Sequence, residues 1–148
     1  MTQDNHRSVR LHKIGEGRYL ATNARGGVLP IGSGADPDFT PSELLLAALV
    51  GCTSIDLDFI TRKRATAVVF EAEASGEKVR DDGGNRLSDL RLVFDLRFPD
   101  DEAGDAARAI LPRALAQSRE RLCTVGRTVA AGEAADYRLG ELAAGDAE

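Results

Sequence analysis

The sequence holds only two histidines, His6 and His12, and only two cysteines, Cys52 and Cys123. No close pair of either type is present, so the tight Cys or His spacing of a zinc knuckle is absent, and a Ser-His-Asp or Cys-His arrangement would have to run through His12 near the chain start. Positive charge is not in excess: 19 basic residues face 24 acidic ones, for a net charge of −5. Such a chain offers no field to hold a phosphate backbone or an anionic lipid surface, which argues against nucleic acid and membrane partners. The longest strongly apolar run, Leu44 to Cys52, falls well short of the ~20 residues that cross a bilayer. No apolar segment follows the polar start Met1 to Arg7, so the reading is a chain that is not exported and works in the cytoplasm. There is no internal repeat, and the glycine pairs Gly26-Gly27 and Gly83-Gly84 match no phosphate-binding loop and read as turns.

What is present has the composition of a folded protein, 43% hydrophobic and 29% charged over 148 residues. That length suits one domain, residues 1–148, with flexible tails at 1–7 and 143–148. Three short strands, Ser8 to Lys13, Arg18 to Asn23 and Val28 to Ile31, are separated by glycine-bearing turns and predict a β-meander. Thr40-Pro41-Ser42-Glu43 then carries a capping box with proline in the first helical position. The helix it opens is expected to run to about Arg62, where Arg62-Lys63-Arg64 favours the carbonyl end of the dipole. From Leu44 to Val50 its apolar residues cover every face, so the helix is expected to be surrounded by protein, with a partner subunit supplying part of the cover.

Two alternating stretches follow, one through Val68, Phe70, Ala72 and Ala74, the other through Leu90, Leu92, Phe94, Leu96 and Phe98. With Asp82-Gly83-Gly84 between them they predict an antiparallel hairpin. Asp105 to Leu122 reads as a second helix that Pro112 must kink or restart. Cys123 to Val129 reads as a further short helical turn, and Asp136 to Leu142 as a last strand. The fold class is therefore α+β.

The two cysteines are the first suspects for chemistry, because in a reducing compartment paired thiols are more often redox-active or simply buried than joined for structure. Cys52 lies about three turns into the apolar helix, with Leu45, Ala48, Leu49, Ile55, Asp56 and Phe59 at helical spacing. Such surroundings suit the carbon chain of an organic substrate, while burial and Asp56 disfavour a thiolate, so a cationic partner is required. Arg25, in a glycine-rich loop, is the candidate; Arg18 and Arg127 are the alternatives. Cys123 follows Arg119 and Arg121 at a helix end. Set against these readings, Cys52 could be a small residue that lets helices pack, and Cys123 a cap or core residue.

The segment Thr40-Pro41-Ser42-Glu43-Leu44-Leu45-Leu46-Ala47-Ala48-Leu49-Val50-Gly51-Cys52 resembles the central helix of the OsmC/Ohr family, the osmotically inducible and organic hydroperoxide resistance proteins. Arg121-Leu122-Cys123-Thr124-Val125 resembles its second-cysteine motif, and the order of elements agrees over about residues 8 to 142. The resemblance implies an OsmC-like fold, with antiparallel sheets around a buried central helix in an intertwined homodimer. It implies a peroxidase that needs no cofactor or metal. Cys52 would attack a small-molecule peroxide and become a sulfenic acid, Cys123 would close a disulfide with it, and an external dithiol reductant, lipoyl-type or a small thiol, would restore both. Arg25 corresponds to the family arginine that steadies the thiolate.

One departure stands out. In the hydroperoxide-resistance branch the acid that holds the arginine directly follows the proline, whereas this chain has Ser42 there and Glu43 next. Glu43 stands nine positions before Cys52, about two and a half helical turns, which sets the two on opposite sides of an ideal helix. Glu43 is thus either the acidic partner, a cap, or a group serving the partner's site. The competing function is a non-catalytic OsmC-like dimer that binds an apolar small molecule or senses redox state.

Overall fold

The computed structural model describes residues 5–144; the tail expectations for 1–4 and 145–148 lie outside them. The meander forms as the glycine spacing predicts: β1 (Val9–Gly15), β2 (Arg18–Asn23) and β3 (Val28–Ile31) pair antiparallel in that order. Asn23 sets the β2–β3 turn, its side-chain oxygen accepting from the Arg25 and Gly27 amides at 3.0 and 2.8 Å. The three strands have no extensive packing against the rest of the chain, and they leave Val9, Leu11, Val28 and Leu29 exposed.

Helix α1 (Pro41–Thr61) opens on the capping box. Glu43 Oε1 accepts from the Thr40 amide at 3.0 Å and from its hydroxyl at 2.6 Å, while Thr40 Oγ1 accepts from the Glu43 amide. The two hydrogen bonds from Thr40 hold the Glu43 carboxyl below its ordinary range. Glu43 is exposed and spent on this cap.

Only one stripe of α1 is covered by its own chain: Leu49, Thr53, Leu57 and Thr61, spaced four apart and therefore stacked along one face. Ile55 is 72% and Phe59 51% exposed. One chain covers this stripe alone, and the cover expected from a partner subunit falls outside a single chain. By length and composition alone α1 is apolar enough to cross a membrane, which a nine-residue apolar run did not suggest; core helices pass the same test.

The hairpin β4 (Val69–Asp81) and β5 (Gly84–Arg97) pairs along its whole length, broken by a bulge between Ser75 and Glu77. Gly76 sits in that bulge, where a Cβ would lie 2.9 Å from Leu90 Cδ2 and 3.8 Å from Leu46 Cδ2; the absent side chain lets β4 approach both its partner strand and α1. Helix α2 (Glu102–Gln117) starts at Asp101, whose carboxylate accepts from the Gly104 amide at 2.7 Å. It runs through Pro112 without ending, so the expected restart does not occur. Proline sits on the exposed side of the helix, where loss of one amide donor is made good by solvent.

After α2 the chain widens into a π-helical turn, Ser118–Leu122, and then forms α3 (Thr124–Ala131), closed by Gly132 in the left-handed region at φ 64°. Residues 136–142 are not a strand: no neighbouring edge pairs with them, and Tyr137, Leu139 and Leu142 are exposed. The alternation that suggested a strand is present, but a strand needs a partner to bond its backbone. The core is Leu57, Leu96, Phe98, Ala107 and Ala114, where α1, β5 and α2 meet.

Candidate active site

Two devices bring the cysteines together. Helix α1 carries Cys52 and Thr53, and α1 packs on both α3 and the π turn. The π turn sets Cys123: its amide donates to the Ser118 carbonyl at 2.8 Å, the wider closure that shifts the chain by one residue before α3 begins. Cys123 is then the N-cap of α3, with its sulfur accepting from the Gly126 amide at 3.2 Å. Thr53 Oγ1 donates to the same sulfur at 3.6 Å from α1. Gly126 leaves room for this, since a Cβ there would lie 3.2 Å from the Cys123 sulfur.

Cys52 meets the same helix end. The Val125 amide and the Cys123 thiol lie close enough to shift its titration. Both thiols are free. Cys123 is buried and Cys52 half-buried. Burial pushes the Cys52 thiol above the ordinary thiol range; the Val125 amide pulls it back, and Cys123 and the Asp56 carboxylate push it further up. Asp56, one turn after Cys52, accepts from Ser118 Oγ at 2.8 Å, and Ser118 is fully buried. The α1 residues around Cys52 thereby hold Cys123 at two points, Thr53 directly and Asp56 through the π turn.

A cleft of about 500 Å³ opens beside Cys123. Its walls are mainly apolar, Leu49 from α1, Leu92 and Phe94 from β5 and Leu115 from α2, with Arg119 of the π turn as the cation and Cys123 as the thiol. Cys52 is not among the residues that line it.

Of the four residues singled out by sequence, Cys52 and Cys123 meet and the other two do not join them within one chain. Arg25 lies exposed in the β2–β3 turn, and among the described residues no cation contributes to the shift of the Cys52 thiol. Of the alternatives, Arg18 bonds Asp38 at 3.1 Å, and Arg127 is exposed on α3. Glu43 caps α1. Sequence reasoning passed over Thr53 and Ser118. Thr53 follows Cys52 directly, and a hydroxyl beside a candidate nucleophile was a readable signal; Ser118 acts only through the π turn and gave none. Among the described residues no group of three or more His, Cys, Asp or Glu could hold a metal ion.

Comparison with known proteins bears on the fold and the family. The fold resembles an OsmC-like protein of unknown function from Vibrio cholerae, with a TM-score of 0.68 at 14% identity over 84% of this chain and 93% of that one. It also resembles an organic hydroperoxide resistance protein OsmC from Legionella pneumophila, with a TM-score of 0.56 at 11% identity over 86% and 91%. In sequence, an uncharacterized protein of Mycobacterium tuberculosis is 27% identical over 136 residues, which are 90% of this chain and 96% of that protein. The sequence model of OsmC-like proteins matches residues 33–136, from the loop before α1 to beyond α3. The chain belongs to the OsmC-like protein family.

Proposed function

We propose that the protein is a thiol peroxidase that reduces organic hydroperoxides. The observation that carries this reading is the meeting of both sulfurs at the N-terminus of α3, each facing a backbone amide. A helix N-terminus and its free amides favour negative charge on sulfur. In the first step the Cys52 thiolate attacks one peroxide oxygen; the O–O bond breaks, the alkoxide takes a proton and leaves as an alcohol, and Cys52 becomes a sulfenic acid. Cys123, losing its proton, then attacks the Cys52 sulfur, and the hydroxyl group leaves as water when the disulfide forms. An external dithiol returns two electrons and two protons.

The exposed apolar face of α1 and the loosely packed meander support a homodimer, in which a second copy covers Ile55 and Phe59 and brings a guanidinium, Arg25 first, to Cys52. A cytoplasmic, thiol-reducing setting fits this chemistry. Stopped-flow mixing of the reduced protein with cumene hydroperoxide tests the reading. Fast loss of both thiols is expected; loss of one, or no fast reaction, overturns it.

The upward push on Cys52 and the serine at position 42 favour one alternative, a dimer that binds an apolar small molecule or senses redox state without turnover. Sustained consumption of peroxide with a supplied dithiol excludes it.

A further inference from the structure

Burial is the main influence that raises the Cys52 thiol, and the charge of Asp56, half-buried one turn later on α1, adds to it. A carboxylate set against the first step of a thiol peroxidase calls for another use, and its hydrogen bond supplies one. Asp56 Oδ2 accepts from Ser118 Oγ at 2.8 Å, across 62 positions of sequence. Ser118 is fully buried, and all three of its polar groups are engaged. Its amide donates to the Ala114 and Leu115 carbonyls of α2, its carbonyl accepts from the Cys123 amide at 2.8 Å, and its hydroxyl reaches α1. Of the three bonds, only the last ties the π turn to the helix that carries Cys52.

We propose that Asp56 is a positioning residue for the second step of the cycle: through Ser118 it holds the π turn so that Cys123 stays beside Cys52 when the sulfenic acid forms. The proposal rests on the peroxidase reading above and deepens it. Closure of the disulfide is a race. Cys123 loses its proton and bonds to the Cys52 sulfur, whose hydroxyl leaves as water; a second hydroperoxide instead passes an oxygen to the sulfenic acid, making a sulfinic acid, and leaves as an alcohol. The effective concentration of one sulfur at the other decides the race, and it falls steeply when the segment carrying Cys123 drifts. A single π turn between two α-helices is a rare conformation, so a tether from outside it matters here. A carboxylate binds a hydroxyl more strongly than a neutral acceptor does. Thr53, three positions before Asp56, steadies the Cys123 sulfur itself at 3.6 Å, so α1 carries one reacting sulfur and both holds on the other.

The test mixes reduced protein with tert-butyl hydroperoxide in the presence of dimedone, which captures a sulfenic acid as a thioether. Mass spectrometry reads the ratio of the Cys52–Cys123 disulfide to the Cys52 adduct. Asp56→Ala and Ser118→Ala are each expected to lower that ratio by roughly tenfold, the scale of one lost hydrogen bond to a charged group. Asp56→Asn keeps an acceptor for Ser118 and is expected to stay within about threefold of the unaltered protein. Thr40→Ala weakens α1 at its far end and is expected to leave the ratio unchanged, which separates position from general stability. An unaltered ratio in Asp56→Ala or Ser118→Ala overturns the proposal and leaves the peroxidase reading intact. So does an Asp56→Asn as poor as Asp56→Ala, or a drop of the same size in Thr40→Ala. If the unaltered protein yields neither disulfide nor adduct, both fall.

Discussion

Around Leu57, Leu96, Phe98, Ala107 and Ala114 the chain closes on itself, while the meander and the far side of α1 leave Val9, Leu11, Val28, Ile55 and Phe59 in solvent. The closed region holds what the sulfurs need from their own chain: Thr53, Ser118, and the amides of Val125 and Gly126. The open region holds Arg25, exposed in the β2–β3 turn. If the proposed function holds, the contrast assigns the disulfide half of the chemistry to one chain and the thiolate-steadying half to surfaces that one chain leaves uncovered.

The largest effect is expected where the open region is made unable to close. Changing Ile55 and Phe59 together to Glu should leave a monomer in analytical ultracentrifugation and slow the first reaction with peroxide; a variant that remains dimeric at full rate would erase the distinction between the regions. The closed region should respond through stability. Leu57, 1% exposed in the core, should cost about 2–5 kcal/mol as Leu57→Ala in urea unfolding. Removing the helix cap with Thr40→Ala should cost about 1 kcal/mol in the same measurement.

The smallest effect concerns the boundary between the regions, at Cys52. Because its thiol is pushed up, first by burial, its reaction with iodoacetamide should rise with pH through a midpoint above that of an ordinary thiol. Asp56→Asn removes the smallest of the upward influences, so the midpoint should fall slightly. A midpoint that stays put would mean that Asp56 acts only through Ser118.

Local signals carried most of the fold. Gly15-Glu16-Gly17 and Arg25-Gly26-Gly27 predicted the meander turns, Thr40 to Glu43 the start of α1, and Asp82-Gly83-Gly84 the hairpin. Where a prediction needed a tertiary partner it failed: residues 136–142 alternate like a strand but find no edge to pair with. Pro112 was expected to kink or restart α2 because propensity describes an isolated helix; no restart occurs, and packing of Ala107 and Ala114 on the core holds the helix on both sides of it. At the site, the residue types of Cys52 and Cys123 were readable, and their meeting was inferred from resemblance. Ser118 was not readable, because its role exists only once the π turn turns the Cys123 amide back onto it.

The central claim is that Cys52 and Cys123 act as one redox unit, and peptide mapping after oxidation tests it most directly. Reduced protein treated with one equivalent of tert-butyl hydroperoxide, blocked at remaining thiols and digested without reductant, should give the two cysteine peptides joined and lighter by two hydrogens. Cys52 recovered as a sulfinic acid beside a blocked, unoxidised Cys123 would contradict the account.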